Sequence, residues 1–351
     1  MVNKKVMLGM SGGVDSSVSA LLLKDAGYEV IGVTMELFKG GSCCNINTYI
    51  DAKAVCNSIG IPHFTLDYQK KFKEYVIDDF INCYANQKTP NPCIECNKFM
   101  KFGYMYEKAK EMGCEYIATG HYAKMEYSEE YGRYVLKKAN NLKKDQSYVL
   151  YNMPKQLLGK VLFPLGNFES KEDVRNVARE NNLKVASKPD SEDICFVPDG
   201  NYKKFLVENS NIKPKVGNIV TQDGKILGKH TGLYNYTIGQ RKGLGISYKE
   251  PLFVIGFNSA KNEVIVGEKD KLYKKEMIVK DINLLLIDKI DKPMKVSVKT
   301  RYTANEESAT IYMQDEKTIK VEFDKPVMRI TPGQSAVFYI GDIVLGGGKI
   351  V

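Results

Sequence analysis

The sequence predicts an α/β domain built on a parallel sheet over residues 1–196, a small central domain over 197–269 and a C-terminal antiparallel β-barrel over 270–351. Three observations carry that reading. The apolar run Val6-Met7-Leu8 breaks into Ser11-Gly12-Gly13 and then into Val18, Ala20, Leu21, Leu22 and Leu23, the pattern of strand, tight loop and helix. Residues 28–35 follow as a second buried strand, which makes the connection a right-handed crossover and the pairing parallel. Far downstream, residues 294–299, 308–312, 318–323 and 335–339 alternate apolar and polar side chains as short antiparallel strands do.

With 351 residues, 43% of them hydrophobic and 26% charged, the chain has an ordinary globular composition and enough length for a large core. The first apolar run is too short for a signal peptide, and nowhere do about 18 apolar residues run together, so neither export nor a membrane span is expected and the cytoplasm is. The net charge of +9 divides into +2 over residues 1–196 and +7 over 197–351. A basic second half suits a polyanion such as RNA, although lysine-rich faces are about as often merely solvated. Eight cysteines without an export signal indicate reduced thiols rather than a disulfide framework. Cys56, Cys83 and Cys114 sit in apolar patterns and read as small buried hydrophobes.

The first loop carries chemistry. Gly9, Met10, Ser11, Gly12, Gly13, Val14, Asp15 and Ser16 lead from strand into helix, and consecutive glycines let backbone N–H groups turn toward an anion at the helix N-terminus. Serine hydroxyls add donors, and Asp15 offers a place for Mg2+ against phosphates. Neither G-x-x-x-x-G-K-S/T nor G-x-G-x-x-G fits, so the common NTPase and dinucleotide fingerprints are absent. The plainer alternative is a glycine turn with a capping Asp. Met35 ends the second strand, at the sheet edge where open α/β folds bind ligands, though a core role is equally natural there.

Residues 40–44, with Cys43 and Cys44, form a loop before a helix that begins at Asp51, and 61–67 is a third strand whose His63 is left unassigned. Residues 70–85 form an amphipathic helix with Phe72, Val76, Phe80 and Tyr84 on one face. A Pro-stiffened loop over 89–97 ends in Cys93-Ile94-Glu95-Cys96 and enters a helix over 98–112. A helix N-terminus stabilises a thiolate and lowers its pKa, which suits a nucleophile or a metal ligand. Zinc would need a second ligand pair, and none stands at finger-like spacing.

Residues 116–123 read as a strand ending in Thr119-Gly120-His121, where Gly120 permits close backbone approach to a nucleotide and His121 can donate to phosphate or substrate. Residues 131–136 suggest part of a hairpin, and Lys143-Lys144-Asp145-Gln146-Ser147-Tyr148 is either an RNA contact or a solvated lysine pair. Ser170 is a helix cap. Cys195 follows three acidic residues on a turn-rich loop and is the second reactive thiol, although acidic neighbours by themselves raise a thiol pKa.

Laid out in order, Ser11 to Ser17, the Cys93-x-x-Cys96 loop, Ala118-Thr119-Gly120-His121-Tyr122-Ala123, Lys144 to Tyr148, Asp193-Ile194-Cys195-Phe196 and the segment 228–245 closely resemble the tRNA-specific 2-thiouridylases. These belong to the ATP pyrophosphatases, whose parallel sheet is adenine nucleotide alpha hydrolase-like. The resemblance runs almost end to end. It implies ATP-dependent thiolation of carbon 2 of the wobble uridine, position 34, in tRNAs for glutamate, glutamine and lysine, giving 2-thiouridine, AMP and pyrophosphate. It further implies that Gly9 to Ser16, Met35 and Gly120 bind ATP, with Asp15 near Mg2+. Asn91 and Pro92 would border the flipped base, and His121, Lys144, Asp145, Gln146, Arg301, Tyr302 and Gln334 would contact tRNA. Cys195 would carry a persulfide received from a sulfur donor, a cysteine desulfurase or relay protein, with Cys96 as its partner thiol.

Cys93 stands where many members of that family have aspartate. Cys93, Cys96 and Cys195 together could hold an iron–sulfur cluster of the 4Fe-4S type with one iron left open to sulfide, a second route for the sulfur. Two other readings compete. Another ATP pyrophosphatase, a 4-thiouridine or 2-thiocytidine synthase or an amidotransferase, would carry a different appended domain. A non-catalytic RNA-binding protein with structural zinc would release no pyrophosphate.

Overall fold

The computed structural model describes residues 4–40, 46–189 and 194–351. Cys43 and Cys44, and the acidic residues Asp190, Glu192 and Asp193 before Cys195, lie outside the described residues.

Strand β1 (Lys5–Gly9), helix α1 (Val14–Asp25) and strand β2 (Glu29–Glu36) form the expected crossover. Helix α2 (Ile46–Ile59) begins before Asp51 and leads to β3 (His63–Asp67). A continuous helical stretch then runs through α3 (Gln69–Phe72), a π segment (Lys73–Ile77) and α4 (Asp78–Ala85). Phe72, Val76, Phe80 and Tyr84 are all buried along it. Their strict four-residue spacing overshoots a 3.6-residue turn by about 40° per step, and the wider π turn takes back part of that drift.

The second such stretch is α5 (Pro92–Glu95), a π segment (Cys96–Tyr104) and α6 (Met105–Glu111). It starts at Pro92 and not at Lys98 as expected, because Asn91 caps it. Asn91 Oδ1 accepts the Cys93 N–H at 3.2 Å, and Pro92 takes the first helical position, where a missing N–H does no harm. Cys93 and Cys96 therefore lie on the helix, in its first turns.

Strand β4 (Tyr116–Ala118), a hairpin of β5 (Ala123–Ser128) and β6 (Arg133–Lys138), the short helix α7 (Ser147–Leu150), β7 (Val161–Leu162) and α8 (Lys171–Glu180) follow. Ser170 caps α8 in a reciprocal box with Asp173, as expected. The parallel sheet has the order β3-β2-β1-β4-β7. Alternate residues of β1 face two cores: Met7 packs with Ile31, Val33, Phe102 and Ile117, whereas Val6 and Leu8 pack with Val18, Leu23, Val55 and Val174. The strand order reverses between β1 and β4, which opens a crevice at their carboxyl ends.

Helix α9 (Tyr202–Asn209) precedes a four-stranded sheet of β8 (Gly217–Val220), β9 (Ile226–His230), β10 (Phe253–Asn258) and β11 (Glu263–Gly267), ordered β10-β11-β8-β9. The last unit comprises β12 (Tyr273–Leu284), β13 (Met294–Lys299), β14 (Glu307–Asp315), β15 (Thr318–Met328), β16 (Ser335–Ile340) and β17 (Ile343–Ile350). Pairing of β12 with β17 closes it into a barrel, which removes the exposed edges. Val279, Val298, Ile311, Val321 and Phe338 fill the interior.

The hairpin β5–β6 joins this barrel, Lys137 lying opposite Ile343 of β17. Helix α7 is fastened to the same wall. Tyr148 OH donates to the Ser335 carbonyl at 2.9 Å, and the Tyr151 and Ser335 hydroxyls lie 3.0 Å apart. The barrel thus sits directly against the parallel-sheet domain. Among the described residues, no helix is long and apolar enough to cross a membrane.

Candidate active site

The glycine loop and the Thr-Gly-His segment emerge side by side at the crevice. Gly9 ends β1, and Met10 is locked to β2 by its N–H, which donates to the Val33 carbonyl at 2.7 Å, and by its carbonyl, which accepts the Thr34 hydroxyl at 3.0 Å. Gly12 has φ +64°, and a Cβ there would collide with the Thr48 carbonyl oxygen, so only glycine fits. Gly13 precedes α1, with Val14, Asp15 and Ser16 in the first turn. The Ser11 N–H donates to Ser16 Oγ at 3.2 Å, and the two serine hydroxyls lie 3.2 Å apart. The result is a tight loop, ringed by hydroxyls, in front of a twelve-residue helix.

Gly120 lies against this loop. A Cβ on it would come within 2.9 Å of the Ser16 N and 3.1 Å of the Asp15 Cβ. Its bare backbone therefore packs against the start of α1. Two residues on, Tyr122 donates its hydroxyl to Asp15 Oδ1 at 2.7 Å. Lys171 Nζ donates to both Asp15 oxygens at 2.7 Å, and Lys188 Nζ reaches the Gly12 carbonyl at 3.0 Å and Asp51 at 2.8 Å. Tyr122, Lys171 and Lys188 were not singled out in the sequence, where lysines at or near helix ends look like solvated surface.

The thiols occupy two places. Cys96 and Cys195, nearly a hundred residues apart in sequence, are both half-buried against one aromatic cluster, as is Met35. Phe196 is its centre, with ring centroids 5.2 Å from Phe80, 5.7 Å from Phe72 and 5.2 Å from Phe205. The Asp-Ile-Cys-Phe sequence thereby anchors Cys195 through its neighbour: burying a phenylalanine is worth about 2–3 kcal/mol. Cys93 is instead exposed. Surrounding groups push its thiol pKa up while the Lys101 ammonium pulls it down. Burial, and then the Asp145 carboxylate, push the hydroxyl pKa of Tyr302 in the barrel up, while the Lys144 ammonium pulls it down.

Lys101 Nζ also lies 3.2 Å from His121 Nε2, and Thr119 Oγ1 lies 2.7 Å from His121 Nδ1. Burial, and then the charge of Lys101, hold the His121 pKa well below the usual imidazole value, so the ring is neutral at physiological pH. His121 is 8% exposed and occupied internally.

Other expected tRNA contacts are similarly committed. Asp145 is buried and accepts the N–H groups of Ala139 at 3.0 Å and Ser147 at 3.2 Å, together with the Ser147 hydroxyl at 2.7 Å. Gln146 Oε1 accepts the Tyr122 N–H at 3.0 Å. Gln334 Nε2 donates to the carbonyls of Thr89 at 2.8 Å and Pro90 at 3.2 Å. Arg301 donates to the carbonyl of Ile238 at 3.3 Å and to the Thr331 hydroxyl, tying barrel to central domain. Pro92 is buried, and Asn91, Lys144 and Tyr302 keep accessible surface.

Neither expected metal is matched by its donors. Both Asp15 oxygens are paired with an ammonium, which is not a Mg2+ ligand set. Among the described residues, no group of three or more His, Cys, Asp or Glu side chains is placed to hold a metal ion. No step is routed through either metal.

A glycine cradle at the switch point of a five-stranded parallel sheet, joined to a small β domain and a closed β-barrel, defines an ATP-using domain of the pyrophosphatase-loop class with two appended β domains. Family models agree unit by unit: tRNA methyl transferase HUP domain at residues 4–199, tRNA methyl transferase PRC-barrel domain at 203–268 and aminomethyltransferase beta-barrel domain at 274–350. The chain is 50% identical to the tRNA-specific 2-thiouridylase MnmA of Clostridioides difficile, over 99% of this chain and 98% of that one. It is 48% identical to its counterpart in Acetivibrio thermocellus, over the full length of both. A distant likeness, TM-score 0.37 at 20% identity over 59% of this chain and 67% of that one, links it to the U34-tRNA thiolase NcsA from Methanococcus maripaludis with its 4Fe-4S cluster, and adds nothing to the argument. The chain belongs to the tRNA-specific 2-thiouridylase family and is a tRNA sulfurtransferase.

Proposed function

We propose that the chain thiolates carbon 2 of the wobble uridine through an adenylated base and a cysteine persulfide. The packing of Cys96 and Cys195 against one aromatic cluster, beside Met35 at the ligand edge of the sheet, carries this reading. The carbonyl oxygen at carbon 2 is a poor leaving group. It attacks the α-phosphate of ATP, pyrophosphate departs, and the oxygen then leaves as part of AMP. The α1 N-terminus, the N–H groups of the loop and the hydroxyls of Ser11 and Ser16 receive the pyrophosphate.

The terminal sulfur of a Cys195 persulfide attacks carbon 2, and the Cys96 thiolate attacks the Cys195 sulfur, so the outer sulfur stays on the base and a Cys96–Cys195 disulfide forms. An external reductant then returns both thiols. Cys93, Lys144 and Tyr302 receive the flipped uridine, with Asn91 and Pro92 beside it. His121, Asp145, Gln146 and Gln334 act by holding the surrounding loops in shape. A cavity of about 620 Å3 lined by Arg241, Lys242, Lys269 and Arg329, between central domain and barrel, supports a further phosphate contact with tRNA. Lysine, glutamate and glutamine tRNAs are the proposed substrates and a persulfide-bearing protein the donor.

Pyrophosphate release measured with and without unmodified tRNA tests the activation half. Release that requires tRNA supports the reading, and release at the same rate without tRNA contradicts it.

A further inference from the structure

Asp15 lies in the first turn of α1, the very place whose N–H groups and dipole would receive pyrophosphate. A bare carboxylate there would repel that ligand. The structure supplies a compensating charge from far along the chain: Lys171, at the start of α8, brings Nζ to 2.7 Å from each Asp15 oxygen, and its side chain is only 14% exposed. Tyr122 holds Oδ1 of the same carboxylate at 2.7 Å. Lys188 is placed differently, its ammonium engaged by the Gly12 carbonyl and Asp51, where it maintains the shape of the loop.

We propose that Lys171 is the fixed cation of the nucleotide site: it neutralises Asp15 and meets the β- and γ-phosphates of ATP, with Asp15 and Tyr122 as its positioning residues. The proposal rests on the loop being a pyrophosphate cradle. An ammonium carries rotatable donors on a flexible stem, so it can exchange a carboxylate oxygen for a phosphate oxygen without backbone movement. Asp15 is then the counter-ion that keeps Lys171 at the cradle, which accounts for a carboxylate at a helix end built for anions.

The test is calorimetric titration of inorganic pyrophosphate into the full chain, in EDTA so that no metal contributes. Lys171→Met should weaken binding at least about tenfold, the loss expected for a charge-assisted contact. Lys171→Arg should stay within about threefold of wild type, which separates loss of charge from loss of fold. Adding Asp15→Asn to Lys171→Met should recover part of the loss, because the uncompensated carboxylate is gone. Binding by Lys171→Met within twofold of wild type would overturn the assignment, and a double variant that binds no tighter than Lys171→Met would overturn the neutralising role. Wild-type protein that takes up no pyrophosphate, in EDTA or in Mg2+, would instead overturn the cradle itself and this proposal with it.

Discussion

Gln334 of the barrel holds Thr89 of the first domain: its Nε2 lies 2.8 Å from the Thr89 carbonyl oxygen and 3.2 Å from that of Pro90. The loop that presents Cys93 and Cys96 is therefore shaped from the C-terminal domain. A second tie acts on the same helix, where Lys349 Nζ lies 3.0 Å from the buried Glu95. Gln334→Leu should leave two carbonyls unpaired, destabilise the chain by about 1–3 kcal/mol and lower kcat for thiolation about tenfold, with the KM for ATP unchanged. Denaturant melts and steady-state kinetics check this. Unchanged stability with a selective loss of tRNA affinity would make Gln334 a tRNA contact instead.

Cys96→Ser and Cys195→Ser should each abolish 2-thiouridine formation and leave tRNA binding within about twofold. Both should still release pyrophosphate in the presence of tRNA, because activation precedes sulfur transfer. Cys93→Asp should retain thiolation, since no sulfur passes through Cys93 in the persulfide route. Quantitative mass spectrometry of nucleosides after single-turnover reactions distinguishes the three.

Gly120→Ala drives a Cβ to within 2.9 Å of the Ser16 N, so the start of α1 must move. Binding of pyrophosphate and ATP should fall at least about tenfold while tRNA affinity holds, since displacement of binding groups by a fraction of an ångström suffices for such losses. Equal weakening of both ligands would indicate general misfolding rather than a damaged cradle.

His121 gives a pH signature. Its ordinary value is 6.5, and burial together with Lys101 holds it well below that in the folded chain. As pH falls through 6.5 the unfolded chain takes up a proton that the folded chain refuses, so stability declines from there down to the folded pKa and is unaffected above it. The slope approaches about 1.4 kcal/mol per pH unit. Between pH 7 and pH 5, wild type should lose more unfolding free energy than His121→Gln, which keeps polar contacts but does not titrate. Parallel stability curves would mean that His121 takes up its proton as readily in the fold as in the unfolded chain.

Much of this architecture is legible in the sequence because it is written locally. The Ser-Gly-Gly break marks the cradle, the four-residue spacing of Phe72, Val76, Phe80 and Tyr84 marks a helix, and alternation marks β13 to β16. The attachment of the hairpin β5–β6 to the barrel is not legible, since its pattern fixes which faces are apolar and not which distant edge receives it. The same holds at the site. Asp145 looks solvated beside two lysines but is buried by Ser147 and Ala139, and Lys171 finds Asp15 only through tertiary packing across 156 residues.

The most direct test of two thiols working with one ATP cradle is reconstitution with purified protein, unmodified tRNA, ATP and a persulfide donor, followed by mass spectrometry of position 34. The account predicts 2-thiouridine at that position, one pyrophosphate released for each sulfur incorporated, and a Cys96–Cys195 disulfide accumulating when reductant is withheld. Full thiolation by the Cys195→Ser protein, or thiolation without that disulfide, would contradict it.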